Sequence, residues 1–349
     1  MESSRKKVVI TGISGFLGSQ VCKTFLESGK YHVRGTVRDK NNEKKIGPLR
    51  KAFGSLFNDL ELVEADLMNA QSLDSAIQGM DFVIHTASPF PGEKPKDENE
   101  IIKPAVEGTM AVVRAVHKYK VKRVVITSSV ASIMFQTEET KKDIYTEADW
   151  SNLKGCEPYE KSKTLAEQAA WDYLRDLPEN EKFELVTINP SLILGPSIVQ
   201  SDFTSGIVIQ KIMGEKFPGM PKIMFPIVDV RDVALAHLRG IEVEEAKGNR
   251  FILSCKGVWF VEIASALKSE FGKSYKIKDK ELSYCTIKIA ALFDKSVKLI
   301  VPMWGKTLNL ENQKSRDILG IDYIYPQKSV IDMAHSMIES GLIKNKIKK

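Results

Sequence analysis

The chain has 349 residues, 43% of them hydrophobic and 28% charged, with 51 Lys and Arg against 45 Asp and Glu for a formal charge of +6. That much apolar material excludes a disordered chain and supplies a sizeable core. A small positive surplus, spread along the chain apart from the tail Lys344 to Lys349, excludes no more than it must: no nucleic-acid partner is expected.

The longest apolar stretch, Thr286 to Val301, is interrupted by Lys288, Asp294, Lys295 and Lys298. A membrane span needs about 20 nearly uncharged residues, so no integral membrane segment is expected. The N-terminus runs from charged residues straight into Val8-Val9-Ile10 with neither a signal core nor a cleavage site, and a cytoplasmic protein is expected. Cys22, Cys156, Cys255 and Cys285 lack metal-like spacing and read as reduced thiols, with no metal site.

Short apolar runs alternate with helical-period segments through the first half. Strands are predicted at 7–10, 32–37, 60–64, 82–86, 123–127 and 185–189, and helices at 16–28, 72–78, 101–118 and 159–175. Gly29 and Gly79 follow two of these helices, and Pro178 stops the last. Strand runs that are apolar nearly throughout belong to a parallel sheet covered on both faces, which predicts an α/β fold of the Rossmann-type, doubly wound class. After Asn189, Pro190, Gly195, Pro196, Gly214, Pro218, Gly219, Pro221 and Pro226 break the pattern; a helix at 229–243 and a strand at 250–254 then return to the main sheet. Helical patterns at 260–271, 311–319 and 328–340 follow. The expected organisation is a dinucleotide-binding domain of residues 1–190 plus 226–254, and a smaller, mostly helical substrate lobe of 191–225 plus 255–349.

The strongest local signal is Gly12-Ile-Ser-Gly15-Phe-Leu-Gly18 between the first strand and a helix. Gly12 permits the tight turn, Gly15 removes a side chain where a pyrophosphate approaches, and Gly18 lets the helix pack on the strand. The helix N-terminus offers free N–H groups to the phosphates. Arg38 follows the second strand, with Lys44 and Lys45 close by, as suits the 2′-phosphate of NADP; Asp39, one position on, would suit NAD.

Tyr159-Glu-Lys-Ser-Lys163 places a phenol and an ammonium on one helical face. A nearby ammonium stabilises a phenolate and is expected to bring the Tyr159 pKa towards working pH, so that the phenol exchanges a proton with a carbonyl or alcohol oxygen. Ser128 and Ser129 emerge at the carboxyl end of the strand 123–127, the edge where open α/β sheets bind ligands. Only one of the two can point into the cleft.

Together with Asp66-Leu67, His85-Thr-Ala-Ser-Pro89, Thr127-Ser-Ser129 and Asn189-Pro-Ser-Leu-Ile-Leu-Gly195-Pro196, these motifs make nearly the whole chain resemble the extended short-chain dehydrogenase/reductase superfamily. Thr36-Val-Arg38-Asp, Lys163 to Trp171, and Val228-Asp-Val-Arg-Asp232-Val-Ala resemble the group of dihydroflavonol reductases, cinnamoyl-CoA reductases and fungal methylglyoxal reductases. The resemblance implies an NADPH-dependent carbonyl reductase with Ser129, Tyr159 and Lys163 as its catalytic residues. It implies cofactor contacts from Gly12, Gly15, Phe16, Leu17, Gly18, Arg38, Lys45, Asp66, Leu67, Thr86, Ala87, Ser88, Thr127, Tyr159, Lys163, Pro190 and Leu192. A small carbonyl compound is the expected partner, shaped by the 191–225 loops, Met134, Phe135 and Trp304, and the expected state is a monomer or homodimer.

Three positions depart from the group. Ala105 stands where many extended members carry an asparagine, Cys156-Glu-Pro precedes Tyr159 in place of an Asn-Trp-Tyr-Cys run, and Met134 replaces a commonly polar residue. Two other readings compete: a 3β-hydroxysteroid dehydrogenase-like enzyme oxidising an alcohol with NAD(P), and a non-catalytic scaffold that kept the dinucleotide fold.

Overall fold

Seven strands, all parallel, form the main sheet of the computed structural model, which describes residues 5–88, 97–199, 203–215, 217–292, 297 and 300–347. Pro89, residues 200–202 and 216 of the 191–225 segment, 293–296 and 298–299 of the apolar stretch, and the final two lysines lie outside the described residues.

Strands β1 (Lys6–Thr11), β2 (Tyr31–Val37), β3 (Leu60–Glu64), β4 (Phe82–His85) and β5 (Arg123–Thr127) are followed by the two-residue strand β6 (Ile144–Tyr145) and by β7 (Glu184–Pro190). Three more are β8 (Leu192–Leu194), β9 (Met224–Asp229) and β10 (Asn249–Leu253). The main sheet has the order β10-β7-β5-β4-β1-β2-β3. The chain therefore lays down β1, β2 and β3 in one direction and then crosses back to β4 on the other side of β1. That reversal opens a crevice at the carboxyl ends of β1 and β4, the place where doubly wound sheets take their ligands.

The helices of this part are α1 (Phe16–Ser28), α2 (Glu43–Phe53), α3 (Ala70–Ile77), α4 (Asn99–Lys118) and α5 (Pro158–Asp176). One sheet face presents Val9, Val83, Val124, Ile126 and Leu185 to Ile77, Val112, Val116 and Ala170 of α3, α4 and α5, all buried. Apolar burial of this kind is the main driving force for the fold. It also fixes α5, with Tyr159 and Lys163 in its first two turns, against the ends of β5 and β7.

Helix α2 has no counterpart in the sequence reading. Gly47 and Pro48 lie inside it and look like a break, yet Ile46, Leu49 and Phe53 recur at helical spacing and are buried. Packing of that apolar stripe outweighs the local breakers.

The chain divides into two units, the first made of Met1–Ser191, Arg231–Leu253 and Glu311–Asp322. The helix Gln313–Leu319, grouped by its position in sequence with the C-terminal lobe, thus packs in the sheet unit, where Lys314 lies over the ring of Phe251 at 5.5 Å. The second unit, Leu192–Val230, Ser254–Leu310 and Tyr323–Lys349, holds a three-stranded sheet in which β9 lies between β8 and β11 (Lys256–Trp259). Around it stand α6 (Thr204–Met213), α8 (Phe260–Phe271) and the C-terminal helix Pro326–Glu339, and the same unit holds α9 (Tyr284–Ala290). Helix α7 (Val230–Glu242) leads back into the first unit. Among the described residues, no helix is long and apolar enough to cross a membrane.

Candidate active site

The glycine loop joins β1 to α1 as its spacing predicts. Gly12 has φ 72°, the left-handed region that favours glycine, and a Cβ there would stand 2.9 Å from that of Ala87. A Cβ on Gly18 would approach the Gly12 carbonyl oxygen to 2.3 Å and Thr86 Oγ1 to 2.8 Å. Gly15 is different: its φ is −88°, and an added Cβ would meet only the Gly12 oxygen, at 3.4 Å. Two glycines are therefore required by the chain's own packing, and Gly15 keeps open the space in front of the α1 N-terminus, where no side chain caps the helix. Bare N–H groups at such an end attract phosphate. Phe16 and Leu17 begin that helix.

Threonine side chains brace the loop from behind. Thr36 Oγ1 accepts from the Gly12 N–H at 3.1 Å, and Thr11 Oγ1 accepts from the Ala87 N–H at 3.2 Å while meeting His85 Nδ1 at 2.9 Å. Thr86 Oγ1 donates to the Thr11 carbonyl at 2.5 Å. Burial pushes the His85 imidazole down to about 3, with the Lys163 charge acting in the same direction, so the ring is neutral.

Arg38 is exposed just past β2, and Lys45 sits half-buried in the first turn of α2. Asp39 Oδ1 accepts from the Asn41 N–H at 2.8 Å, so the carboxylate that could oppose a 2′-phosphate serves a local turn. Past β3, Asp66 Oδ1 accepts from the Met68 N–H at 2.8 Å, and Leu67 is half-buried.

Beyond β5 the two serines separate. Ser128 is buried and donates to Glu167 Oε2 at 2.5 Å, whereas Ser129 is half-buried and its hydroxyl hydrogen-bonds the Tyr159 phenol. Ser129 Oγ also accepts from the Ala131 N–H at 3.1 Å, which fixes its rotamer. Alternation at an extended strand end separates the neighbours in this way, and it supports Ser129 as the site hydroxyl.

Tyr159 departs from expectation in one respect. Its phenol is pushed up, above the ordinary tyrosine value, chiefly by burial and further by the Glu160 charge, with the Ser129 hydrogen bond pulling the other way. The expected help from Lys163 is absent because that ammonium is aimed elsewhere: Lys163 Nζ donates to Ser88 Oγ at 3.0 Å. Burial lowers Lys163 to about 8, opposed by the Glu167 carboxylate. A phenol held protonated is suited to giving a proton.

Lys163, Ser88, Ala87, His85, Thr127, Leu67 and Ala105 line a cavity of about 20 Å³ in this unit, enough for a water molecule. Thr127 Oγ1 lies 2.7 Å from Nε2 of the buried His237, whose Nδ1 is 2.7 Å from the Val233 carbonyl. That carbonyl can only accept, so Nδ1 carries the proton and Nε2 accepts from Thr127. Pro190 ends β7, and Ser191 after it has a buried hydroxyl with no hydrogen-bond partner among the described residues. Leu192 and Trp304 belong to the second unit, Met134 and Phe135 to the first. Residues that sequence reasoning missed are Glu167, Arg250 and His237; the first was visible as a carboxylate one turn beyond Lys163, while the other two lie far away in sequence.

A doubly wound sheet with a glycine-braced helix N-terminus at its switch point, and a Ser/Tyr/Lys cluster on the same edge, defines a dinucleotide-binding protein of the extended short-chain dehydrogenase/reductase type. Residues 8–253 match the NAD dependent epimerase/dehydratase family, and the chain belongs to it. It is 39% identical over 279 residues to tetraketide alpha-pyrone reductase 1 of Arabidopsis thaliana, covering 78% of this chain and 83% of that protein. Cinnamoyl-CoA reductase 1 of the same plant is 33% identical over 343 residues, 96% of this chain and 90% of the relative. Among solved structures, Gre2 from Candida albicans in complex with NADPH is similar, with TM-score 0.77 and 28% identity over 96% of this chain and 99% of that one.

Proposed function

We propose that the protein is an NADPH-dependent reductase that transfers hydride to the carbonyl of a small organic molecule. The observation that carries this reading is the contact of the Ser129 hydroxyl with a Tyr159 phenol held in its protonated form, beside a lysine one turn away. Several features fit the cofactor. Gly15 leaves room at the α1 N-terminus, the exposed Arg38 and nearby Lys45 suit a 2′-phosphate, and the orphaned Ser191 hydroxyl at the end of β7 has hydrogen-bonding capacity to spare. The names of relatives as reductases, and the NADPH in the Gre2 structure, support the same choice.

In this reading the glycine loop and the α1 N-terminus hold the pyrophosphate, Asp66 and Leu67 border the adenine, and Ala87 and Pro190 border the nicotinamide. Lys163, released from Ser88, holds the ribose. The dihydronicotinamide, when bound, supplies the hydride. Ser129 donates a hydrogen bond to the substrate carbonyl oxygen and orients it, and Tyr159 gives that oxygen its proton as negative charge develops there. The tyrosine is then re-protonated from solvent; with Ala105 in place of an asparagine, α4 offers no polar side chain at that position for the purpose.

The test is purified protein with NADPH against a panel of ketones and aldehydes, and with NADP⁺ against the corresponding alcohols. Carbonyl-dependent NADPH oxidation supports the proposal. NADPH binding without turnover on any compound favours the scaffold reading, and turnover with NAD⁺ and sterol-like alcohols alone favours the dehydrogenase reading.

A further inference from the structure

Beneath the Ser129–Tyr159 contact lies a buried ion pair that the proposed chemistry does not itself use. Glu167 of α5 and Arg250 of β10 are 1% and 9% exposed at their side chains and meet at 2.7 Å, Nε to Oε1. The carboxylate is saturated. Oε1 also accepts from Thr187 Oγ1 at 2.9 Å, and Oε2 accepts from Ser128 Oγ at 2.5 Å and Asn189 Nδ2 at 2.8 Å, with Ser132 Oγ at 2.6 Å. The guanidinium donates from Nη1 to the carbonyls of Glu147 and Asp149 at 2.7 and 2.6 Å, and its centre stands 3.7 Å from the Trp150 ring centroid.

Two features set this cluster apart from an ordinary structural salt bridge. First, a buried ion pair is a poor source of stability, because desolvation offsets the attraction and apolar replacements are often neutral or better. Second, its bonds converge on one short piece of backbone. Ser128 is held by its side chain, and the Ser129 carbonyl accepts from Ser132 Oγ at 2.8 Å and Asn189 Nδ2 at 3.3 Å, both of which also contact Glu167. The residue whose hydroxyl meets Tyr159 is thereby clamped on both sides to the helix that carries Tyr159. Glu167 lies four residues after Lys163, and both line the same small cavity with Ser128.

We propose that the Glu167–Arg250 pair is the positioning element of the site, holding the end of β5 to α5 so that the Ser129 hydroxyl, the Tyr159 phenol and Lys163 keep a common geometry. The inference rests on the reductase reading above. Neither residue touches substrate or cofactor; both act through Ser128, Ser132 and Asn189.

The test compares Glu167→Gln and the charge-neutral double variant Glu167→Gln/Arg250→Met with wild type and with Tyr159→Phe, on one carbonyl substrate. Rates are taken per NADPH-binding site, so that loss of folded protein does not count as loss of catalysis. The expected result is a fall in kcat of fivefold or more in a variant that still binds NADPH within threefold of wild type, with KM for the carbonyl within threefold. A purely structural pair would not produce that split. A second readout is the pH above which kcat declines. The charged and titratable groups facing Lys163 are Glu167 on its own helix and the neutral His85 from β4; loss of the Glu167 charge lets Lys163 give up its proton earlier, so the decline moves to lower pH in Glu167→Gln.

A fall in kcat of less than fivefold overturns the proposal. So does failure of both variants to yield any NADPH-binding protein, which would make the pair a folding element. Wild-type rates in Tyr159→Phe would instead refute the reading of the site on which the proposal stands, whereas an inactive Tyr159→Phe beside a fully active Glu167→Gln refutes this inference alone.

Discussion

Adding one methyl group to Gly15 and one to Gly18 should affect stability differently, although the two residues are three apart in the same loop. At Gly18 the new Cβ would stand 2.3 Å from the Gly12 oxygen and 2.9 Å from the Gly12 carbonyl carbon, both backbone atoms that cannot rotate away. Overpacking of this kind costs about 1–3 kcal/mol, and relief by shifting the loop would spoil the phosphate seat as well. At Gly15 the contact is an ordinary 3.4 Å, and φ −88°, ψ 167° is open to alanine. There the weaker helix cap provided by alanine, about 0.5–1 kcal/mol, is offset by the lower entropy of the unfolded chain, about 0.4–1 kcal/mol. Gly15→Ala should therefore keep wild-type stability in urea denaturation and yet lose NADPH affinity at least tenfold, about 1.4 kcal/mol, because its methyl group occupies the space before the α1 N–H groups. Gly18→Ala should lose both. Wild-type NADPH affinity in Gly15→Ala would refute the placement of the pyrophosphate, and a Gly18→Ala protein as stable as wild type would refute the packing argument.

Arg38→Glu should abolish a preference for NADPH over NADH worth about 1.5–3 kcal/mol of charge-assisted bonding; equal affinities of the wild type for the two cofactors in fluorescence titration would contradict it. Ser129→Ala should lower kcat far more than Ser128→Ala, with NADPH affinity unchanged in both; steady-state kinetics giving the reverse order would mean that Ser128 faces the substrate. Acid should destabilise the protein well above the carboxylate range. His85 and His237 are held down to about 3 and about 4 by burial, while unfolded histidine titrates near 6.5, so below that pH the unfolded chain binds more protons than the folded one and stability falls as pH falls. At pH 5 the loss is about 2 kcal/mol per histidine, from 1.36 kcal/mol per pH unit; a urea midpoint that is flat between pH 6.5 and 5 would show that these rings are not buried neutral.

Local chemistry explains what could be read in the chain. The strands Leu60–Glu64 and Arg123–Thr127 and the helices Phe16–Ser28 and Phe260–Phe271 have the residue bounds that their apolar runs and flanking breakers indicate, because each is delimited by signals within a few residues. The glycine loop was legible for the same reason. Helix α2 was not, since Gly47-Pro48 outweighs Ile46, Leu49 and Phe53 in any short window and only the buried environment reverses the balance. Helix Gln313–Leu319 joins the sheet unit through contacts far from it in sequence. The site divides along the same line. Tyr159 and Lys163 announce themselves by spacing, but the direction of the Tyr159 shift depends on burial and on where Lys163 points, and the Glu167–Arg250 pair joins residues 83 positions apart. The one hint of it was a carboxylate four residues after Lys163.

The most direct measurement of the central claim is kcat for carbonyl-dependent NADPH oxidation by Tyr159→Phe beside wild type, with NADPH affinity determined on the same samples. Removal of one oxygen atom should leave NADPH binding within threefold of wild type and lower kcat by about 10²–10⁴-fold, the usual contribution of a positioned proton donor. A Tyr159→Phe enzyme that binds NADPH and turns over within tenfold of wild type would contradict the assignment of Tyr159 as the acid of a carbonyl reductase.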